Sequence, residues 1–194
     1  MAGFVALTLA KYAKCIEVKL SHSTEHYMRL YLEIKKGSKR TDESLKNIGY
    51  ISHCKNCLHR QTSNGLASPI ADLCPVCGEK LVHAGPLWLG NIQNKDFIQK
   101  MIDEAEFKKI NSEKEALKLL NKCLVEADAP ATFFDVHAIC KSLKISAPKF
   151  DLILEELEKE GFVAIKTHYN PLGIKTDANI EDIQNILLKF NENE

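Results

Sequence analysis

The chain has 194 residues, of which 45% are apolar and 27% charged, a balance that fills one large core or two small ones and excludes wholesale disorder. Its formal net charge is zero, so overall charge gives no reason to expect a polyanionic partner. No apolar run approaches the roughly 20 residues needed to span a bilayer, and seven cysteines without a basic, apolar leader point to a reducing cytoplasm and away from a disulfide scaffold.

Val5, Leu9, Tyr12 and Ile16 recur at helical spacing, so residues 3–16 read as an amphipathic helix that needs a partner surface. From His26 the period changes to two, with Met28, Leu30, Leu32 and Ile34 on one strand face and Tyr27, Arg29 and Tyr31 on the other. A basic turn follows, carrying Lys35, Lys36, Lys39 and Arg40. Short strands are expected at residues 50–53 and 80–83, flanking two cysteine pairs. Phe97, Ile98, Met101 and Ile102 begin a helical stripe. Ser112 with Glu115 forms a capping-box signature for a second helix bearing Leu117, Leu120 and Leu124, which Pro130 ends. A short helix over 134–143, a longer one over 147–160 capped by Ser146 and stopped by Gly161, a strand over 162–166, a polar turn with Pro171 and Gly173, and a last helix over 180–190 complete the chain. Helix, helix, longer helix, strand, turn and return is the order of a winged helix-turn-helix.

Charge is unevenly spread. Residues 1–60 hold eleven Lys/Arg against five Asp/Glu, whereas the last third is mostly acidic, so the first third is the expected polyanion surface. The helix over 147–160 carries Asp151, Glu155, Glu156, Glu158 and Glu160, which repel phosphate and argue against insertion into a major groove.

Cys54-x2-Cys57 and Cys74-x2-Cys77, sixteen residues apart, fit a four-cysteine zinc site in a small ribbon-like module. Four thiolates complete a tetrahedral shell and leave no position for water, so the expected zinc is structural. His53, His59 and His83 lie close enough in sequence to be alternative ligands. Cys15, Cys123 and Cys140 sit in apolar stripes and read as small core residues.

Several segments together resemble the tRNA guanosine N2-dimethyltransferases of archaeal type: Glu25-His26-Tyr27-Met28-Arg29-Leu30-Tyr31, Asn47-Ile48-Gly49-Tyr50, Ala84-Gly85-Pro86-Leu87-Trp88-Leu89-Gly90, and Thr167-His168-Tyr169-Asn170-Pro171-Leu172-Gly173-Ile174-Lys175-Thr176-Asp177. The resemblance covers nearly the whole chain and implies the C-terminal portion of an S-adenosylmethionine-dependent enzyme that methylates the exocyclic amine at the junction of the D and anticodon stems. The Gly-rich first turn and acidic-Pro-aromatic motif that such chemistry requires are missing from the sequence. Asn170-Pro171-Leu172-Gly173 lacks the second proline and the aromatic of an amino-methyltransferase motif, and no catalytic residue is assigned.

The expected architecture is therefore α+β: residues 1–40 as the tail end of a methyltransferase domain, 41–92 as a zinc-binding module, 93–111 as a connecting helix and 112–194 as a winged-helix domain. Expected RNA contacts are Arg29, Lys35, Lys36, Lys39 and Arg40 from the first third and Lys166, His168, Lys175 and Thr176 around the wing. The resemblance implies tRNA as partner, zinc as structural ion, and S-adenosylmethionine only through a missing or separately encoded methyltransferase half. The alternatives are a zinc-containing winged-helix regulator of nucleic acids and an accessory subunit without activity.

Overall fold

The computed structural model describes residues 1–24, 26–108 and 112–192, with side chains through residue 191; Glu25 of the strand motif lies outside the described residues. The chain divides into two compact units, one formed by residues 1–21 and 29–92, the other by 22–28 and 93–194. No helix among the described residues is long and apolar enough to cross a membrane.

In the first unit, α1 (Ala2–Ala10) stops earlier than the apolar spacing predicts, and the chain reverses through Ala13 at φ 51° into the long strand β1 (Lys14–Thr24). Ile16 fits both the helical ladder and an alternating row. The alternating row wins, because Ile16, Val18 and Leu20 are all buried. β1 pairs with β2 (Tyr27–Lys36), whose Leu30 and Leu32 join the core while Met28 and Ile34, on the same predicted face, stay exposed. The expected basic turn is instead the entry to α2 (Ser38–Leu45).

Three further strands, β3 (Ile48–Cys54), β4 (Arg60–Asn64) and β5 (Leu81–Trp88), form an antiparallel sheet with β3 in the middle. Ile48 faces Trp88 and Cys54 faces Leu81 across one edge, and His53 faces Arg60 across the other. The backbones close tightly around Gly49, where a Cβ would stand 2.3 Å from the Ser63 carbonyl oxygen. Ala6, Ile16, Val18 and Ile48 form one buried cluster with Leu45 and Trp88 packed on it.

The second unit begins with α3 (Lys95–Lys108) and α4 (Glu113–Val125), which pack on each other. Lys95, the first residue of α3, reaches Asp128 just beyond α4, so the two helices run antiparallel. Ser112 adopts a left-handed backbone (φ 59°) and makes no side-chain cap, so the predicted capping box does not form. A 3-10 turn (Glu126–Asp128) leads to β6 (Phe134–Asp135) and α5 (Val136–Leu143), capped by Asp135 accepting from the Ala138 amide at 3.0 Å. Then come α6 (Phe150–Lys159), β7 (Ala164–Lys166), β8 (Gly173–Thr176) and α7 (Ile180–Glu192). Ile139, Ile153, Leu157, Ile174, Ile183, Ile186 and Leu187 are fully buried.

Two parts of the expected architecture need correction. The first helix and strands are not a remnant waiting for an absent sheet: they share a core with α2, β3 and β5, and Gly3 sits against the backbone of Leu87 and Trp88. The expected wing is not a free hairpin either. β8 is the central strand of a three-stranded sheet, between β6 and β7, and all four of its residues are buried.

Gly49 gives a direct test of the first unit's packing. Gly49→Ala places its methyl against a backbone carbonyl that cannot rotate away, so it should destabilise the chain by about 1–3 kcal/mol in chemical denaturation. Gly65→Ala, where a Cβ meets only the Ser68 hydroxyl at 3.7 Å, should cost less despite its positive φ.

Candidate metal centre and charged sites

The four paired cysteines converge. Their Sγ atoms all lie within 4.8 Å of one another, with Cys54 3.4 Å from Cys77 and Cys57 3.5 Å from Cys74. Thiolates at about 2.3 Å from a tetrahedral zinc stand about 3.8 Å apart, so the donor set fits that ion. The two pairs are built alike. In the first, the Cys54 amide donates to the His59 carbonyl at 2.9 Å and Leu58 donates back to Cys54 at 3.1 Å; in the second, Cys74 donates to Glu79 at 2.8 Å and Gly78 donates back to Cys74 at 2.9 Å. Each turn closes through a left-handed residue, Leu58 at φ 65° and Gly78 at φ 75°. The sequence marks only the second, by its glycine.

Local fields within the cluster differ. The Glu79 backbone amide beside Cys77 holds its thiol down to about 6, whereas burial pushes the Cys57 thiol up to about 12. His53, His59 and His83 stand outside the cluster, and His83 is held by the Ser52 hydroxyl at 2.9 Å. Cys15, Cys123 and Cys140 are buried.

A second constellation is centred on Glu126, which is 1% exposed. Its Oε1 accepts from the backbone amide and Nδ1 of His168, the latter at 2.7 Å, and its Oε2 accepts from the Thr167 hydroxyl at 3.0 Å and lies 3.2 Å from Lys175 Nζ. With Nδ1–H given to Glu126, His168 Nε2 is left to accept from the Ser23 amide at 3.4 Å. Burial alone would raise the Glu126 carboxyl. The hydrogen bonds from His168 and the Lys175 ammonium outweigh it and hold the group below its ordinary value.

This network decides the fate of the expected RNA contacts near β8. The His168 side chain, Lys175 and Thr176 are buried and offer no free group to RNA, whereas Lys166 is exposed and paired with Asp151. In the first unit Lys35 and Lys19 form a ladder with Glu17 and Glu33, Lys35 Nζ lying 2.6 Å from Glu17. Lys36, Lys39 and Arg40 are exposed around the entry to α2, and Arg29 is exposed with its guanidinium 3.5 Å from the Tyr31 hydroxyl.

Residues 1–188 match the family model for N2,N2-dimethylguanosine tRNA methyltransferase. This chain belongs to that family. It is 67% identical to a tRNA (guanine(26)-N(2))-dimethyltransferase of Methanobrevibacter smithii over 96% of this chain and 48% of the relative. It is 47% identical to the Methanothermobacter thermautotrophicus enzyme of the same name over 96% of this chain and 49% of that one. Among solved structures it resembles Trm1 from Pyrococcus horikoshii in complex with S-adenosyl-L-methionine, with a TM-score of 0.82 at 33% identity over 95% of this chain and 47% of the other. The chain spans about half the length of these relatives. Because the likeness to a family member runs through both units, the fold is a stretch of the family's own architecture, which replaces the expected assembly of ribbon and winged helix behind a methyltransferase remnant.

Glu126→Gln leaves Lys175 without its buried counter-charge and should cost about 3–5 kcal/mol in urea unfolding at pH 7. A carboxyl held below its ordinary value of 4.5 contributes stability that is complete above that pH and drains away as the pH falls through the lower folded value. Wild-type stability should therefore decline below about pH 4.5 more steeply than that of Glu126→Gln, as followed by circular dichroism.

Proposed function

We propose that this chain is a tRNA-binding portion of an S-adenosylmethionine-dependent tRNA guanosine N2-dimethyltransferase, holding tRNA for methylation at the junction of the D and anticodon stems. The observation that carries this reading is the family match over residues 1–188, joined to the exposed basic residues of the first unit, Arg29 near the start of β2 and Lys36, Lys39 and Arg40 around the entry to α2. Phosphate contacts of this kind position a nucleic acid without reading its sequence.

Methyl transfer belongs, in this reading, to protein outside these residues. The described sheets have two or three strands each, and neither the Gly-rich turn nor the acidic-Pro-aromatic motif is in the sequence. S-adenosylmethionine, bound in the Pyrococcus horikoshii structure, would supply the methyl group there, whether that part belongs to the same polypeptide or to a partner.

Cys54, Cys57, Cys74 and Cys77 would hold one zinc ion, whose role is to tie the two turns together beside β3 and β5. A cytoplasmic setting suits seven unpaired thiols.

The test uses this chain as it stands. It should bind an unmodified tRNA transcript in fluorescence anisotropy in preference to duplex DNA of equal length, and should transfer no label to that tRNA from S-adenosylmethionine. Efficient methylation by the chain alone, or no preference for tRNA, would overturn the reading. Metal analysis should find one zinc per chain. Cys74→Ser should lower that occupancy and the unfolding temperature together, since metal binding at such sites is coupled to folding.

A further inference from the structure

The acidic second unit contains one helix surface that departs from its surroundings. Lys114, Lys118 and Lys122 follow each other at i, i+4 and i+8 on α4 and all are exposed, while Leu120 and Cys123 bury the opposite side. A rise of 1.5 Å per residue sets successive lysines about 6 Å apart along the axis, a row about 12 Å long. That step is on the scale of successive phosphates in an RNA strand.

Elsewhere in the second unit, Lys95, Lys108, Lys159, Lys166, Lys175 and Lys189 each meet a carboxylate, and Lys100, Lys141, Lys144 and Lys149 are exposed without an ion pair among the described residues but do not line up as a row of three on one helix. The three lysines of α4 form no ion pair among the described residues, although Glu115 lies one turn before Lys118. Like charges at i, i+4 repel and cost helix stability. A polyanion laid along the row would remove that repulsion. The outer side of α6 has the opposite character, with Asp151, Glu155 and Glu158 exposed, and repels phosphate.

From this geometry we infer that Lys114, Lys118 and Lys122 form a ridge that binds the phosphodiester backbone of RNA, each ammonium serving one phosphate. The ridge deepens the tRNA-binding reading and rests on it, adding a contact in the second unit to the basic residues of the first. Its contribution is positional and carries no sequence preference, because ammonium groups on flexible stems meet phosphates as point charges.

The experiment compares the whole chain with the triple variant Lys114→Gln, Lys118→Gln, Lys122→Gln, binding an unmodified tRNA transcript by anisotropy at several salt concentrations. Glutamine keeps the helix propensity of lysine, and circular dichroism checks that the variant is folded. Loss of three phosphate contacts should reduce the slope of log affinity against log salt by about 2–3 and weaken binding by about tenfold near 0.1 M salt. The triple arginine variant should retain the wild-type slope. Lys159→Gln with Lys189→Gln, which removes two paired lysines, should leave the slope unchanged. If the wild-type chain binds and the glutamine variant shows the same affinity and slope, the ridge is overturned while the tRNA-binding reading survives. If the wild-type chain binds no tRNA at any salt, both fall.

Discussion

The second unit is arranged around one buried carboxylate. Glu126 accepts from two donors of His168 and from Thr167, and faces the Lys175 ammonium, so a charge that would be prohibitive in an apolar core is surrounded on every side. The consequence for the fold is specific. β8 can occupy the middle of its sheet while carrying a lysine, because that lysine has an inward partner. Thr167 and the His168 side chain, at the start of the turn to Gly173, are pulled onto the body of the unit, while Pro171 at its far end stays exposed.

The first unit has a comparable centre in its four sulfurs. Each cysteine turn is short and has little apolar material, and Cys54, Cys74 and Leu81 form only a small buried cluster. Such a cluster buries far less apolar surface than the core shared by Ala6, Ile16, Val18 and Ile48, so the proposed zinc would matter more here than there. The two units thus rely on opposite arrangements of charge: anionic ligands gathered toward a proposed metal in one, cationic and neutral donors gathered toward a carboxylate in the other.

These centres differ in how far they can be read from the chain. The cysteine spacing is local and periodic, and the resemblance carried by Gly85-Pro86-Leu87-Trp88 and Thr167 to Asp177 leads to the family without coordinates. Glu126 is opaque, because a glutamate two residues from Asp128 reads as a solvated helix end and its partners lie about forty residues further on. The same separation hid the burial of His168, Lys175 and Thr176. β1 was obscured differently, since Ile16 satisfies the helical and the alternating pattern at once. The spacing of the α4 lysines is local and can be read from the chain, but their common exposure opposite Leu120 and Cys123 comes from the packing.

The order of strands in the second sheet also constrains when it can form. β8 comes last in sequence but stands between β6 and β7, which make no pairing with each other. Neither outer strand has an edge to join until residues 173–176 arrive, some forty residues after β6. During synthesis the helices from α3 to α6 emerge before any of this sheet exists, and their folding must wait on, or proceed without, it. A chain that ended before Gly173 would leave two short strands with unpaired backbones and Glu126 without Lys175. The central strand thus makes completion of the unit a late and cooperative event.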